Sequence, residues 1–120
     1  MIELLLQSAR AGGVLQAVTG SDMSAPDLLN VEVVAVLRRL EREGAVRPSR
    51  ADQAVDDLVV APIRRWPTVS LVVGAWKLRQ NLSAYDALYV ALARTLACPL
   101  VTGDLRLARA PGLGVPVVTV

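Results

Sequence analysis

Along this chain, apolar residues recur at helical spacing in long stretches, with short, almost unbroken apolar runs between them. Residues from Ile2 to about Val18 carry a helical pattern interrupted near Gly12 and Gly13. Asp22-Met23-Ser24-Ala25-Pro26 reads as a short extended segment, because proline disfavours helix in the residue before it. Asp27 then opens a helix predicted to run to about Glu43, where an acidic start suits the helix dipole and Gly44 is a good terminator. Pro48-Ser49 leads into a helix from about Arg50 to Val60, and Ile63-Arg64-Arg65-Trp66, set between two prolines, reads as a strand. A further helix is expected from about Thr68 to Gln80, broken by Asn81-Leu82-Ser83. Ser83 is the expected N-cap of the next one, Ala84 to about Ala97. Pro99-Leu100-Val101-Thr102 is a short buried strand, Gly103-Asp104 turns into a short helix through Arg109, and Pro116 to Val120 is a last strand.

Helices alternating with short apolar strands predict an α/β layered domain with a largely parallel sheet. The 120 residues fit a single domain over 1–120, with no repeat, no low-complexity segment and no linker. The pattern opens with a helix, where such a sheet usually opens with a strand.

Composition narrows the chemistry. The chain has no His and one Cys, Cys98. That excludes imidazole bases, Ser-His-Asp triads and Cys- or His-rich zinc sites. Carboxylates are the remaining agents, and hard oxygen-seeking cations such as Mg²⁺ or Mn²⁺ their natural helpers. The hydrophobic fraction is 53% and the mean hydropathy +0.45, high for a water-soluble chain and suggestive of a partner or a dimer. No apolar run approaches the ~18 residues of a membrane span. The start has no basic region of the signal-peptide type, so an intracellular, cytoplasmic location is expected. Of the 13 basic residues all but Lys77 are arginines, a side chain suited to bidentate phosphate contact.

Most acids sit among arginines or on solvated helix faces. Three do not. Glu32 has Leu28, Leu29, Ala35 and Val36 as its neighbours at helical spacing, and Asp86 has Leu82, Tyr89, Val90 and Ala93. Burying an unpaired carboxylate costs several kcal/mol or shifts its pKa, so such positions call for compensation. Asp104 follows a strand through a glycine turn, at the edge where open parallel sheets bind ligands, and the Thr102 hydroxyl lies close enough in sequence to orient it. Each acid also has a structural reading: Asp104 as an N-cap, Glu32 paired with an arginine, Asp86 bonded within the first turn of its helix. Converging on one sheet edge, the three acids would instead suit hydrolysis assisted by a hard cation.

Three segments carry a resemblance: Ala25-Pro26-Asp27-Leu28-Leu29-Asn30-Val31-Glu32-Val33, then Ser83-Ala84-Tyr85-Asp86-Ala87-Leu88-Tyr89-Val90-Ala91-Leu92-Ala93, then Leu100-Val101-Thr102-Gly103-Asp104. In order and over nearly the whole chain, they resemble the PIN-domain family, most closely its VapC-type toxins. The resemblance implies a three-layer α/β/α sandwich with a short, mainly parallel central sheet. It implies Mg²⁺- or Mn²⁺-dependent cleavage of RNA, of the tRNA or rRNA class. It also implies a homodimer restrained by a VapB-like antitoxin whose tail enters the acidic groove. The matching acids are Glu32, Asp86 and Asp104, both as metal ligands and as catalytic groups, with Thr102 in support. Setting these acids aside leaves eight acidic residues against 13 basic, so Arg38, Arg39, Arg64, Arg65, Arg106 and Arg109 are candidate RNA contacts. One departure stands out. The family opens with a strand ending in Asp, whereas Met1-Ile2-Glu3-Leu4-Leu5-Leu6 matches the helix after it, so that strand and that acid are expected to be absent from the sequence as given. Glu3 reads as a surface residue and not as a substitute. A chain lacking the fourth acid could also be a PIN-like module that binds antitoxin or RNA without cleaving.

Overall fold

A computed structural model describes residues 23–119. The helix expected from Ile2 to Val18, with Glu3, and the acid expected to be missing before it lie outside the described residues.

Strand β1 (Met23–Pro26) leads into helix α1 (Leu28–Arg42), which buries Leu29, Val33 and Leu37, one residue per turn on a single stripe. Gly44 ends this segment with φ +73°, a conformation open to a residue without Cβ. Helix α2 (Pro48–Val60) places its proline in the first turn, where no N–H is missed, and buries Ala51, Ala54 and Leu58. Strand β2 (Ile63–Trp66) returns parallel to β1 in the register Met23–Ile63 to Pro26–Trp66. Ala25 and Ile63 meet the α1 and α2 stripes in one core cluster that includes the fully buried Leu29 and Val33.

The opposite face of β2 presents Trp66 to a second cluster, built from Leu71, Ala91 and Leu92 with Leu88 and Leu96 at its edge. Four of these lie on helix α4 (Ala84–Leu96), so strand β2 is sandwiched between α1–α2 and α4. That is the predicted α/β/α layering. Ser83 caps α4 as expected, its hydroxyl accepting from the Asp86 N–H at 3.1 Å, and Ala97 closes the helix in the left-handed region. Beyond it, β3 (Leu100–Thr102), the one-turn helix α5 (Leu105–Ala108) and β4 (Val117–Thr119) form a second parallel pair, Leu100 opposite Val117. Helix α4 touches both β1 and β3 and so ties the two pairs together.

Two expectations change. The helix from Thr68 to Gln80 is instead a 3₁₀ turn (Thr68–Leu71) followed by the short helix α3 (Val72–Trp76) and a run of turns. Leu78, Arg79 and Asn81 donate to carbonyls three residues back, which tightens the chain out of α geometry. The Trp76 carbonyl also accepts from the Arg79 guanidinium, at 3.0 Å. The helical part packs closely on α4 at Gly74, where a Cβ would come within 3.3 Å of the Ala91 Cβ. The second change concerns Arg65. It lies on the α1–α2 face of β2 and donates to the Asn30 side chain and to the Leu58 and Ile63 carbonyls. Its guanidinium braces α1, α2 and β2 together and is not displayed for RNA.

Candidate active site

Glu32 sits one turn into α1, and Asp86 and Tyr89 sit on the first turns of α4, three residues apart and therefore on one side of that helix. The two helices bring them together. The Tyr89 hydroxyl donates to Glu32 Oε1 at 2.6 Å, a short bond of the charge-assisted kind. Burial pushes the Glu32 carboxyl above its ordinary value of 4.5, the Tyr89 hydrogen bond opposes that shift, and the negative charge of Asp86 adds to it. Burial, the bond to Glu32 and the charges of Glu32 and Asp86 drive the Tyr89 phenol far above its ordinary range, so it stays protonated and remains a donor. Among the described residues, Glu32 is thus partnered by a tyrosine and not by an arginine. The Asp86 backbone N–H binds the Ser83 hydroxyl, which is the cap made by Ser83 and not a bond of the Asp86 carboxylate within its first turn.

Asp104 is placed differently. It is the N-cap of α5, and its Oδ1 accepts from the backbone N–H groups of Arg106 at 2.9 Å and Leu107 at 3.2 Å. Thr102, buried at the end of β3, accepts the Asp104 N–H on its hydroxyl at 3.0 Å and so shapes the turn that presents the carboxylate. Among the described residues no three acids stand close enough to form one metal-holding group. Tyr89 links Glu32 on α1 to the helix that carries Asp86, while Asp104 caps its own turn. Asp27 also departs from expectation. Its side chain makes no cap bond to α1, and instead Oδ1 accepts the Thr68 N–H at 3.2 Å and ties α1 to the chain after β2.

Sequence reasoning missed Tyr89 as a functional residue. The signal was present, since Tyr89 stands three positions after Asp86 on the same helix, but nothing local shows that its hydroxyl reaches across to α1. Around the corner, Arg38, Arg39, Arg64, Arg106 and Arg109 are exposed, and Arg64 stacks over Trp66 at 4.1 Å from the ring centroid. A groove of about 420 Å³ runs between α3 and α4, lined by Val72, Trp76, Leu82 and Leu88 among others, with Val72 and Trp76 more than half exposed. No helix of the described residues is long and apolar enough to cross a membrane.

A parallel α/β domain with acids at helix starts and at a strand's carboxyl end defines a class whose members bind ligands along that edge. Known proteins make the assignment specific. The PIN domain family model matches residues 1–113. The chain is 39% identical to Ribonuclease VapC3 of Mycobacterium tuberculosis over 111 residues, covering 92% of this chain and 81% of that protein. It is 40% identical to Ribonuclease VapC1 of the same organism over 115 residues, covering 94% and 86%. Against VapC ribonuclease Mb0985 of Mycobacterium bovis the identity is 44% over 100 residues, covering 81% and 76%. The chain belongs to the PIN-domain family.

Proposed function

We propose that this chain is a metal-dependent endoribonuclease toxin of a VapBC-type toxin–antitoxin system, acting in the cytoplasm on RNA of the tRNA or rRNA class. The observation that carries the reading is the Tyr89 hydroxyl's bond from α4 to Glu32 on α1, which sets Glu32 against the helix of Asp86, whose charge adds to the upward shift of the Glu32 carboxyl. It is supported by the identity, over most of the chain, to proteins named VapC ribonucleases.

An all-oxygen donor set suits Mg²⁺ or Mn²⁺, and a cation between Glu32 and Asp86 would offset the burial and the repulsion that together raise the Glu32 carboxyl. Bound there, such an ion would supply an activated water and a counter-charge for the phosphodiester in hydrolysis. Mg²⁺ is commonly held by one or two carboxylates with waters completing its shell, so the pair is a sufficient protein contribution. Asp104, with Oδ1 committed to the α5 cap, serves from the neighbouring turn by orienting water through its other oxygen. Arg38, Arg39, Arg64, Arg106 and Arg109 hold the RNA backbone, which makes binding salt-dependent. The apolar face of Val69, Val72, Val73 and Trp76 is the surface for a second copy of the chain. The VapB-like antitoxin acts by sending its tail into the acidic corner.

A second reading has its own observation, the lack among the described residues of a three-acid group. On that reading the chain is a catalytically impaired PIN module that binds antitoxin or RNA without cleaving. One experiment separates the two. Labelled total RNA is incubated with the protein in Mn²⁺, in EDTA, and with Asp86→Asn. Cleavage that needs Mn²⁺ and disappears in the variant supports the nuclease; equal cleavage by the variant removes Asp86 from the site; RNA or antitoxin binding with no cleavage supports the module.

A further inference from the structure

Tyr89 stands where the two helices that carry the acids meet, and the reaction outlined above gives it no part. Its ring is packed against two core clusters at once, that of Ala25, Leu29 and Val33 and that of Val90, Leu100 and Leu107. The position of its hydroxyl is therefore set by the core and not by a flexible side chain. Glu32 is the opposite case, a long side chain on a helix surface, only half-buried, with rotamer freedom to lose on being fixed. Two influences act to swing it outward: the cost of desolvating a carboxylate and the repulsion from Asp86. The Tyr89 hydrogen bond to Oε1 at 2.6 Å acts against both. It occupies one oxygen of Glu32 and leaves the other free of this bond for whatever cation the pair receives.

We infer that Tyr89 is the positioning residue of the acid pair: its core-anchored hydroxyl holds Glu32 in place beside Asp86, so that the two carboxylates are arranged for a divalent cation before it arrives. This rests on the reading of Glu32 and Asp86 as a metal-binding pair. The idea extends a general property of metal sites, in which the hydrogen-bond partners of the ligands fix ligand orientation and their loss costs roughly 10–100-fold in affinity. Tyr85, four residues earlier and 59% exposed, has no such role.

The test measures Mn²⁺ binding by isothermal titration calorimetry, without RNA, on the wild-type chain, Tyr89→Phe and Glu32→Gln, alongside thermal unfolding in EDTA. The expected result for Tyr89→Phe is an affinity lower by about tenfold or more, in a protein that still unfolds cooperatively. Glu32→Gln should lose most of the binding. If Tyr89→Phe binds Mn²⁺ as the wild type does while Glu32→Gln does not, the positioning role of Tyr89 is overturned and the acid pair stands. If Glu32→Gln also binds normally, the acid pair itself fails as a metal site. Should Tyr89→Phe not fold, Tyr85→Phe supplies the answer, because Tyr89 is then the sole tyrosine. Saturation with Mn²⁺ should perturb its ultraviolet difference spectrum, and an unperturbed tyrosine band at saturation overturns the inference.

Discussion

The corner where α1 meets α4 and the turn that follows β3 each present a carboxylate singled out by the same sequence logic, and they hold it in opposite ways. In the corner, Glu32 is half-buried, feels a second negative charge and, among the described residues, is held by one tyrosine hydroxyl. At the turn, Asp104 is exposed and satisfied by two backbone N–H groups, with Thr102 securing its own N–H. The first arrangement carries a desolvation and repulsion cost that a bound cation would relieve. The second contributes to folding without one. An acid near a sheet edge is therefore not informative by position alone; what matters is whether its partners satisfy the charge or leave it seeking a cation.

Breaking the corner should have the larger effect. Asp86→Asn is expected to reduce Mn²⁺-dependent RNA cleavage by more than the roughly 10–100-fold associated with supporting residues, in a protein whose melting temperature in EDTA is unchanged or higher. Comparable cleavage by wild type and variant in a gel assay would remove the distinction between the two regions. At the turn the expected effect is on stability. Asp104→Ala should cost about 1 kcal/mol, the usual penalty for an N-cap, seen as a melting point lower by several degrees. Asp104→Asn keeps a capping oxygen and should leave the melting point alone, with a smaller loss of cleavage than Asp86→Asn.

The smallest effect sharpens the contrast most. Glu32 has a folded-state pKa raised above its ordinary 4.5, so its contribution to stability is favourable below that value and is lost as pH rises through the folded one. At neutral pH in EDTA, Glu32→Gln should therefore melt slightly higher than the wild type. The gain should shrink as pH falls towards the ordinary glutamate range, and Mn²⁺ should reverse the order by stabilising only the wild type. A variant that is less stable at every pH would mean that Glu32 is a structural partner of Tyr89 and nothing more.

Much of the architecture was legible because it is local. Leu29, Val33 and Leu37 mark the buried stripe of α1, Pro48 and Gly44 mark ends, and Ser83 announces α4. Some of what escaped depends on partners distant in sequence. Arg65 looked like a surface cation until β2 was seen to place it against Asn30 and Leu58. The segment after Thr68 read as one helix because apolar spacing does not register where Leu78, Arg79 and Asn81 tighten the chain into bonds three residues back. For the candidate site, the unusual settings of Glu32 and Asp86 could be read from their apolar neighbours at helical spacing. That the Tyr89 hydroxyl would reach Glu32 depended on how α1 and α4 are arranged in space, whereas the cap that Asp104 makes on its own turn was readable from the glycine turn before a short helix.

The two parallel strand pairs also differ in the span of chain that each one closes. Leu100 finds Val117 across the short segment containing α5, whereas Met23 must find Ile63 across two whole helices. Arg94 shortens the search further, for its guanidinium holds the Gly112 and Leu113 carbonyls at 2.6 Å and fixes the return of the chain before β4 begins. Longer loops cost more entropy to close and slow the contacts that depend on them. The C-terminal pair is accordingly the one to assemble first in refolding, and pulsed hydrogen exchange should show β3 amides protected ahead of those in β1. On this order of events α4 matures with its own C-terminal strands, and the half of the acid pair that comes from α1 arrives last.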